Sequence, residues 1–500
     1  MLTITQRAGR KEWTALAVLM LPVLLVAVDN TVLSFALPAI SLDFNTSGTT
    51  LLWIIDIYPL VLAGLLVAMG SLGDRFGRRR MLMIGAAGFA ALSAVAAFSP
   101  SAELLVAARA GLGVFGSMLM PATLSLIRNI FGDRSQRRLA IAIWAAGFSA
   151  GAALGPLLGG FLLEHFHWGA VFLLAVPVLV LMLALTPAFV PESRDPSPGS
   201  VDVVSIALSI ATMLPVVYAI KNLANDGGLP ATLASAAVGL ASGWLFTRRQ
   251  LSRTSPMLDV RLFAVRPFTG AVLVNLLAIF SLVGFLYFVS QHLQLVLGLG
   301  PLEAGLVLLP GLAVTIAAGL LAVPLVRRIQ PHLVVSGALL LSAAAYWMVA
   351  SSEDGSAGWL MLAFVVLGAG VGASETLSND LILSSVPAAK SGAASAVSET
   401  AYEVGSVFGT ALLGSILVSS YRDNVELPAG LDPEQAAAAG ETLGGAINTA
   451  ADLPARSADA LLDSAFRAFD SGVSITAGIA AVLMLAAAGL AFRTLRGVQA

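Results

Sequence analysis

Apolar runs of about 20 residues recur along the whole chain, each closed by a short polar stretch, and none shows period-2 alternation. Backbone polar groups in lipid must be satisfied internally, so continuous apolar runs of this length predict membrane-spanning helices rather than a barrel. Boundaries set by proline, glycine and charge give fourteen spans. They cover about 13–38, 51–71, 80–98, 103–127, 138–162, 168–190, 202–221, 229–247, 268–296, 302–325, 333–351, 358–383, 391–419 and 471–492. The longest segment outside the spans is 420–470, where "SADALLDSAFRAFD" keeps a helical apolar period and predicts a surface helix in a loop. A cleaved leader needs a small-residue site after its apolar stretch; none follows here, and the apolar run resumes after Asp29, so the first helix is expected to be retained.

Charge then orients the spans. With the N-terminus in the cytosol, 22 of the 27 lysines and arginines fall in cytosolic segments. Lys221, Arg422, Arg456 and Arg467 fall on the opposite side, and Arg109 falls inside a span. Both termini are therefore expected inside, in a multi-pass protein of the cell membrane. Composition agrees: 58% of the 500 residues are hydrophobic and 11% charged, against roughly 25% charged in soluble proteins. Mean hydropathy is +0.90. The net charge of −2 carries no basic field for nucleic acid, and no cysteine is present. The four histidines lack metal-binding spacing, and His165 and His167 beside Trp168 read as interfacial.

Three stretches carry more than hydrophobicity. "GSLGDRFGRRR", residues 70–80, places Gly70, Gly73 and Gly77 where backbones turn and approach closely. Asp74 is expected to cap the third span, with Arg75, Arg78 and their neighbours as cytosolic anchors. In span 5, Gly147, Gly151, Gly155 and Gly159 recur every four residues, forming a stripe for close helix packing, and Pro156 adds a hinge. In span 4, "LLVAARAGLGVFG" puts Arg109 within the membrane, where a carboxylate or substrate partner is expected.

The 70–80 loop resembles the signature loop between helices 2 and 3 of the major facilitator superfamily, and the span 5 stripe resembles that superfamily's antiporter motif. Together with "VAVDNTVLSFALP" and fourteen spans, they resemble the 14-helix drug:proton antiporter family. Where the family pattern has glutamine three residues after the arginine, this chain has Leu112. The resemblance implies an all-α major facilitator fold, two six-helix bundles with two additional helices between them. It implies domains at 1–12 (cytosolic), 13–192 (first bundle), 193–267 (additional helices) and 268–500 (second bundle with loop 420–470). It also implies proton-driven export of lipophilic cations such as quaternary ammonium compounds, ethidium, acriflavine and fluoroquinolones. No cofactor beyond the proton gradient is expected, and the protein is expected to act as a monomer.

Carboxylates within spans are few: Asp29, Asp56, Glu375, Glu399 and Glu403, with Asp380 at a margin. At 1.5 Å rise per residue, Asp29 lies roughly 13 Å, Arg109 roughly 12 Å and Asp56 roughly 8 Å from the outer side, which predicts one outer-half cluster. By the same rise Glu375 lies about 24 Å and Glu403 about 21 Å from that side, with Glu399 deeper, which predicts an inner-half cluster. Competition between a proton and a lipophilic cation for one carboxylate suffices to couple their opposite movements. Trp53, Tyr58, Trp144, Phe148, Phe285, Tyr287 and Tyr402 offer π faces for a cation. An ATP-driven pump would need a P-loop, and the Lys390–Ser391 pair is preceded by alanine rather than glycine. A carrier of the same fold exporting an endogenous metabolite, lipid or peptide-like product is the alternative.

Overall fold

The computed structural model describes residues 8–194, 202–223, 228–253, 256–352, 355–386 and 391–497. Arg7 and Lys390, counted above as cytosolic, lie outside the described residues, as does segment 195–201. Among the described residues every regular element is helical, and fourteen helices are long and apolar enough to cross a membrane. The fold class expected from the sequence is therefore the one found: an all-α polytopic membrane protein.

The first bundle contains α1 (Arg10–Phe44), α2 (Gly48–Phe76), α3 (Arg78–Ala97), α4 (Ala102–Ile130), α5 (Arg134–His165) and the pair α6 (Ala170–Leu173) and α7 (Ala175–Phe189). Ser47 and Ser101 start α2 and α4 by accepting hydrogen bonds from the backbone N–H groups of Thr50 and Leu104. Two helices follow, α8 (Val203–Leu223) and α9 (Leu229–Ser252), packed on each other as a hairpin. The second bundle contains α10 (Arg266–Gln291), α11 (Pro301–Leu325), α12 (Pro331–Ala350) and α13 (Ala357–Ser384). Its fifth span is α14 (Ser391–Phe408), a π-helical segment Gly409–Gly414, and α15 (Ser415–Asn424). Short helices α16 (Pro433–Glu441) and α17 (Leu443–Ala451) precede the last span, α18 (Ala455–Thr494).

Within the bundles, α1 packs on α5 and α2 on α4, while α11 packs on α13 and α12 on α18. The bundles meet along α5–α11, α2–α14 and α1–α10. These seams are tight at the ends opposite the arginine-rich loops, called the outer ends below. Gln294 donates to the Phe35 carbonyl at 3.2 Å, and Gly160 leaves so little room that a Cβ there would stand 2.7 Å from the Leu302 Cα. Over this closed end lies α17, where Asn448 donates to the Leu42 carbonyl of α1 at 2.7 Å. The "SADALLDSAFRAFD" stretch is helical, as its period requires, but it is continuous with the last span in a single 40-residue helix.

Candidate functional site

The centre of the first bundle is a buried ion pair. Arg109 Nη1 on α4 lies 2.8 Å from Asp29 Oδ2 on α1, with the arginine side chain 2% exposed. The guanidinium also donates through Nε to the Ile54 carbonyl of α2 at 3.2 Å, and it sits 4.5 Å from the Tyr58 ring centre and 5.9 Å from that of Phe172. A lone charge here would be strongly disfavoured. The carboxylate, the carbonyl and two π faces together compensate it. Glycines make the approach possible: a Cβ on Gly113 would stand 2.7 Å from the Tyr58 carbonyl oxygen.

Asp56 does not join this pair. Its height is similar, but two residues along a helix turn it about 200° from Tyr58, to the opposite face of α2. There the Lys221 ammonium of α8 lies 2.9 Å from Asp56 Oδ2, both side chains being at most 1% exposed. The same ammonium stands 3.9 Å from the Trp53 ring centre. The single outer-half cluster expected from depth is thus two separate pairs, because rise gives height and not direction. Lys221, assigned by charge alternation to the outer surface, is instead buried inside the protein.

Across the bundle interface, α14 presents Glu403 toward the first pair. Glu403 is 5% exposed, its Oε2 has no hydrogen-bond partner, and it lies within electrostatic reach of Glu399 and Asp29. Tyr58 Oη, which feels the charges of Asp29 and Glu403, is likewise buried without a partner. Glu399 and Glu375 are half-buried; Glu399 feels Arg128 of α4, and Tyr402 feels the charges of Glu375 and Glu403. The Tyr402 ring meets Phe148 of α5 edge-on at 5.5 Å, a contact between the bundles. The helix carrying these groups is fixed by Asn275 of α10, which donates to the Ser398 carbonyl at 3.0 Å. Asp380 is exposed at a helix end.

The glycine stripe packs α5 directly on α1. A Cβ on Gly151 would stand 2.7 Å from the Leu24 carbonyl oxygen, and one on Gly159 would stand 2.6 Å from Val32 Cγ2. Gly147 and Gly155 face Met20 and Thr31 still more closely. On its other side Pro156 offers its carbonyl 2.7 Å from where a Cβ on Gly305 of α11 would be, so this segment touches both bundles. In the 70–80 loop, Gly77 adopts φ +115°, and a Cβ there would also stand 2.9 Å from the Glu192 carboxylate. Gly77, not Asp74, is the N-terminal cap of α3. Asp74 pairs with Arg78 at 2.7 Å, because the positive-φ turn carries the start of α3 away from its carboxylate and the arginine one turn on reaches it instead. Arg78 also donates to Ser193 Oγ at 3.0 Å, and the Arg79 backbone N–H donates to Glu192 Oε1 at 3.0 Å. Gly70 and Gly73 face Pro121 and Met81 at 3.5 and 3.9 Å, and Arg75 lies at the end of α2 near the Phe76 ring.

Of the remaining aromatic side chains, Phe285 stacks on Phe364 in the second bundle, Tyr287 is buried, and Trp144 donates to Thr123 Oγ1 at 3.2 Å. His167 and Trp168 both approach Asp43 at a helix end, at 3.6 and 2.7 Å. Among the described residues no group of histidine, aspartate and glutamate could hold a metal ion.

Comparison with known proteins agrees with this geometry. Residues 19–410 match the family model described as Major Facilitator Superfamily. The multidrug efflux pump LfrA of Mycolicibacterium smegmatis is 62% identical over 493 residues, covering 98% of each chain. The methyl viologen resistance protein SmvA of Salmonella typhimurium is 38% identical, covering 96% of this chain and 98% of that protein. The tetracenomycin C resistance and export protein of Streptomyces glaucescens is 33% identical, covering 97% and 92%. A crystal structure of a bacterial homolog of the human lysosomal transporter Spinster, inward-facing and occupied, superposes with a TM-score of 0.69. That superposition covers 97% of this chain and 98% of the other at 17% identity, a likeness of fold alone. The chain belongs to the major facilitator superfamily, among its 14-helix multidrug efflux pumps.

Proposed function

We propose that this protein exports lipophilic cations, quaternary ammonium compounds and planar dyes such as ethidium, in exchange for protons by alternating access. The observation that carries this reading is Glu403, a buried carboxyl group with an unpartnered oxygen and no lysine or arginine within ion-pair distance among the described residues. Arg109 is already engaged by Asp29, so the charge at Glu403 is open to exchange. A proton there leaves the site neutral. A lipophilic cation placed against Tyr402, Phe148 and Tyr58 needs the carboxylate, and its arrival releases the proton. The half-buried Glu399 and Glu375 extend this acidic lining toward the cytosolic end. Rocking of the bundles about the α5–α11 and α2–α14 seams then exposes the same groups to the other side.

The reading is tested in proteoliposomes loaded with ethidium under an imposed pH gradient. Gradient-dependent efflux that collapses with an ionophore is expected; equal leakage with and without the gradient, for several lipophilic cations, would overturn it.

A further inference from the structure

The Asp56–Lys221 pair is a second buried ion pair, set on the face of α2 away from Tyr58. Burying two ions is repaid only when geometry is excellent and further hydrogen bonds satisfy the remaining donors and acceptors. Here the ammonium lies 2.9 Å from Asp56 Oδ2, a close ion pair. Thr410 of the π-helical segment Gly409–Gly414 reaches the same carboxylate. The ammonium thus has a carboxylate on one side and the Trp53 ring at 3.9 Å on another. A carboxylate beside an indole face is the chemistry that recognises an organic ammonium ion.

The location adds a second argument. Val217 of α8, one turn before Lys221, packs with Ile57 and Leu60 of α2 and with Val407 and Ala411 of the α14 span. Lower on the same helix, Ile210 fills the space beside Gly64 of α2. The additional hairpin therefore covers the seam where the two bundles meet. The π-helical segment Gly409–Gly414 runs along that seam, and Thr410 within it faces Asp56. Breaks of this kind mark places where a helix gives way under function.

We propose that Asp56 and Trp53 form a second cation subsite, at the α2–α14 seam, and that Lys221 is its tethered occupant. The ligand class is an ammonium headgroup, that of an amphiphilic amine or quaternary ammonium compound. Its apolar tail takes the place of Val217 against Ile57, Leu60 and Val407. Lys221 fills the subsite while α8 is docked, and movement of α14 against α2 in transport withdraws it. This deepens the export reading given above, since the ligand is of the same class, and it gives the additional helices a task beyond joining the bundles.

The test is equilibrium binding of radiolabelled benzyltrimethylammonium to the full chain in nanodiscs. A tethered competitor acts at high effective concentration, so Lys221→Ala should bind the probe at least about tenfold more tightly than wild type. Lys221→Arg, which keeps the charge, should bind as wild type does. Asp56→Asn combined with Lys221→Ala should lose the gain. Lys221→Met, which fills the same volume without charge, carries the same expectation should the alanine variant fold poorly. Wild-type affinity in Lys221→Met, or a gain that survives Asp56→Asn, overturns the proposal. Failure here with intact gradient-driven ethidium efflux in the wild type would leave the export reading standing.

Discussion

Arg109 and Asp29 meet at 2.8 Å inside the first bundle, and the guanidinium that closes this pair also holds the Ile54 carbonyl of the neighbouring helix. Three helices thus depend on one side chain. Removing one member of a buried pair leaves the other charge uncompensated, at a cost of about 3–5 kcal/mol. Arg109→Ala is therefore expected to melt well below wild type in nanodiscs. Asp29→Asn keeps the size of the side chain but leaves the guanidinium without its counter-charge; it should insert, melt below wild type, and lose proton-coupled ethidium efflux. Wild-type efflux by Asp29→Asn would reduce the pair to a packing role.

Glu403→Gln removes the exchangeable proton while keeping shape and polarity. Substrate added to the wild-type protein in weakly buffered solution should release protons, and the glutamine variant should release none. Efflux down a substrate gradient should persist in that variant but no longer respond to an imposed pH gradient. Undiminished proton release would move the coupling site to Glu399 or Glu375.

Much of this was legible in the sequence, and the reasons differ from residue to residue. The fourteen spans could be counted because a lipid-facing helix must be apolar over its whole length, which leaves a local signal. The partnership of Asp29 with Arg109 followed from matched depth, since rise along a helix is fixed. Asp56 had matched depth too, but faces α8 on the other side of α2. Lys221 lies at the end of a span, just before "NLANDGG", where a lysine reads as an interfacial anchor. Its burial depends on how α8 docks against α2, a relation between distant segments that no local pattern carries. Arg128 was counted only as a cytosolic charge; its proximity to Glu399 arises between bundles. The helical period of 457–470 was readable, whereas its continuity with the last span was masked by three aspartates.

The α1–α5 contact gives a steric prediction with its own control. Gly151 faces the Leu24 carbonyl and the Ala27 methyl, each 2.7 Å from where a Cβ would stand. Backbone cannot yield as a flexible side chain does, so Gly151→Val should force α5 from α1 at a cost of about 1–3 kcal/mol. Gly489 on α18 has open space within 4 Å of the same position. Gly489→Ala should be neutral or slightly stabilising, since alanine is favoured over glycine in a helix by about 0.8–1.0 kcal/mol. Comparable melting of the two variants would show that the stripe does not set this contact.

At the cytosolic end of the additional hairpin, Asp202 predicts a pH dependence whose sign can be worked out. Its oxygens accept from Arg249 Nη2 at 2.8 Å and Nε at 2.9 Å, and from Ser205 Oγ at 2.7 Å. The Arg249 hydrogen bonds, helped by Ser205, hold this carboxyl well below the usual carboxylate range despite partial burial. A group whose folded value is depressed stabilises the protein fully above its unfolded value, near 3.9 for aspartate. That contribution is lost as the pH falls toward the folded value. Asp202→Asn should therefore lower the melting temperature by a constant amount from about pH 8 down to about pH 5. Below about pH 4 the wild-type protein should lose the advantage, and the two melting curves should converge. A gap that stayed constant down to about pH 2 would show that Asp202 acts through shape rather than charge. Because α8 also carries Lys221, the same variant should loosen the seam: it should bind benzyltrimethylammonium more tightly than wild type at neutral pH, though less tightly than Lys221→Ala.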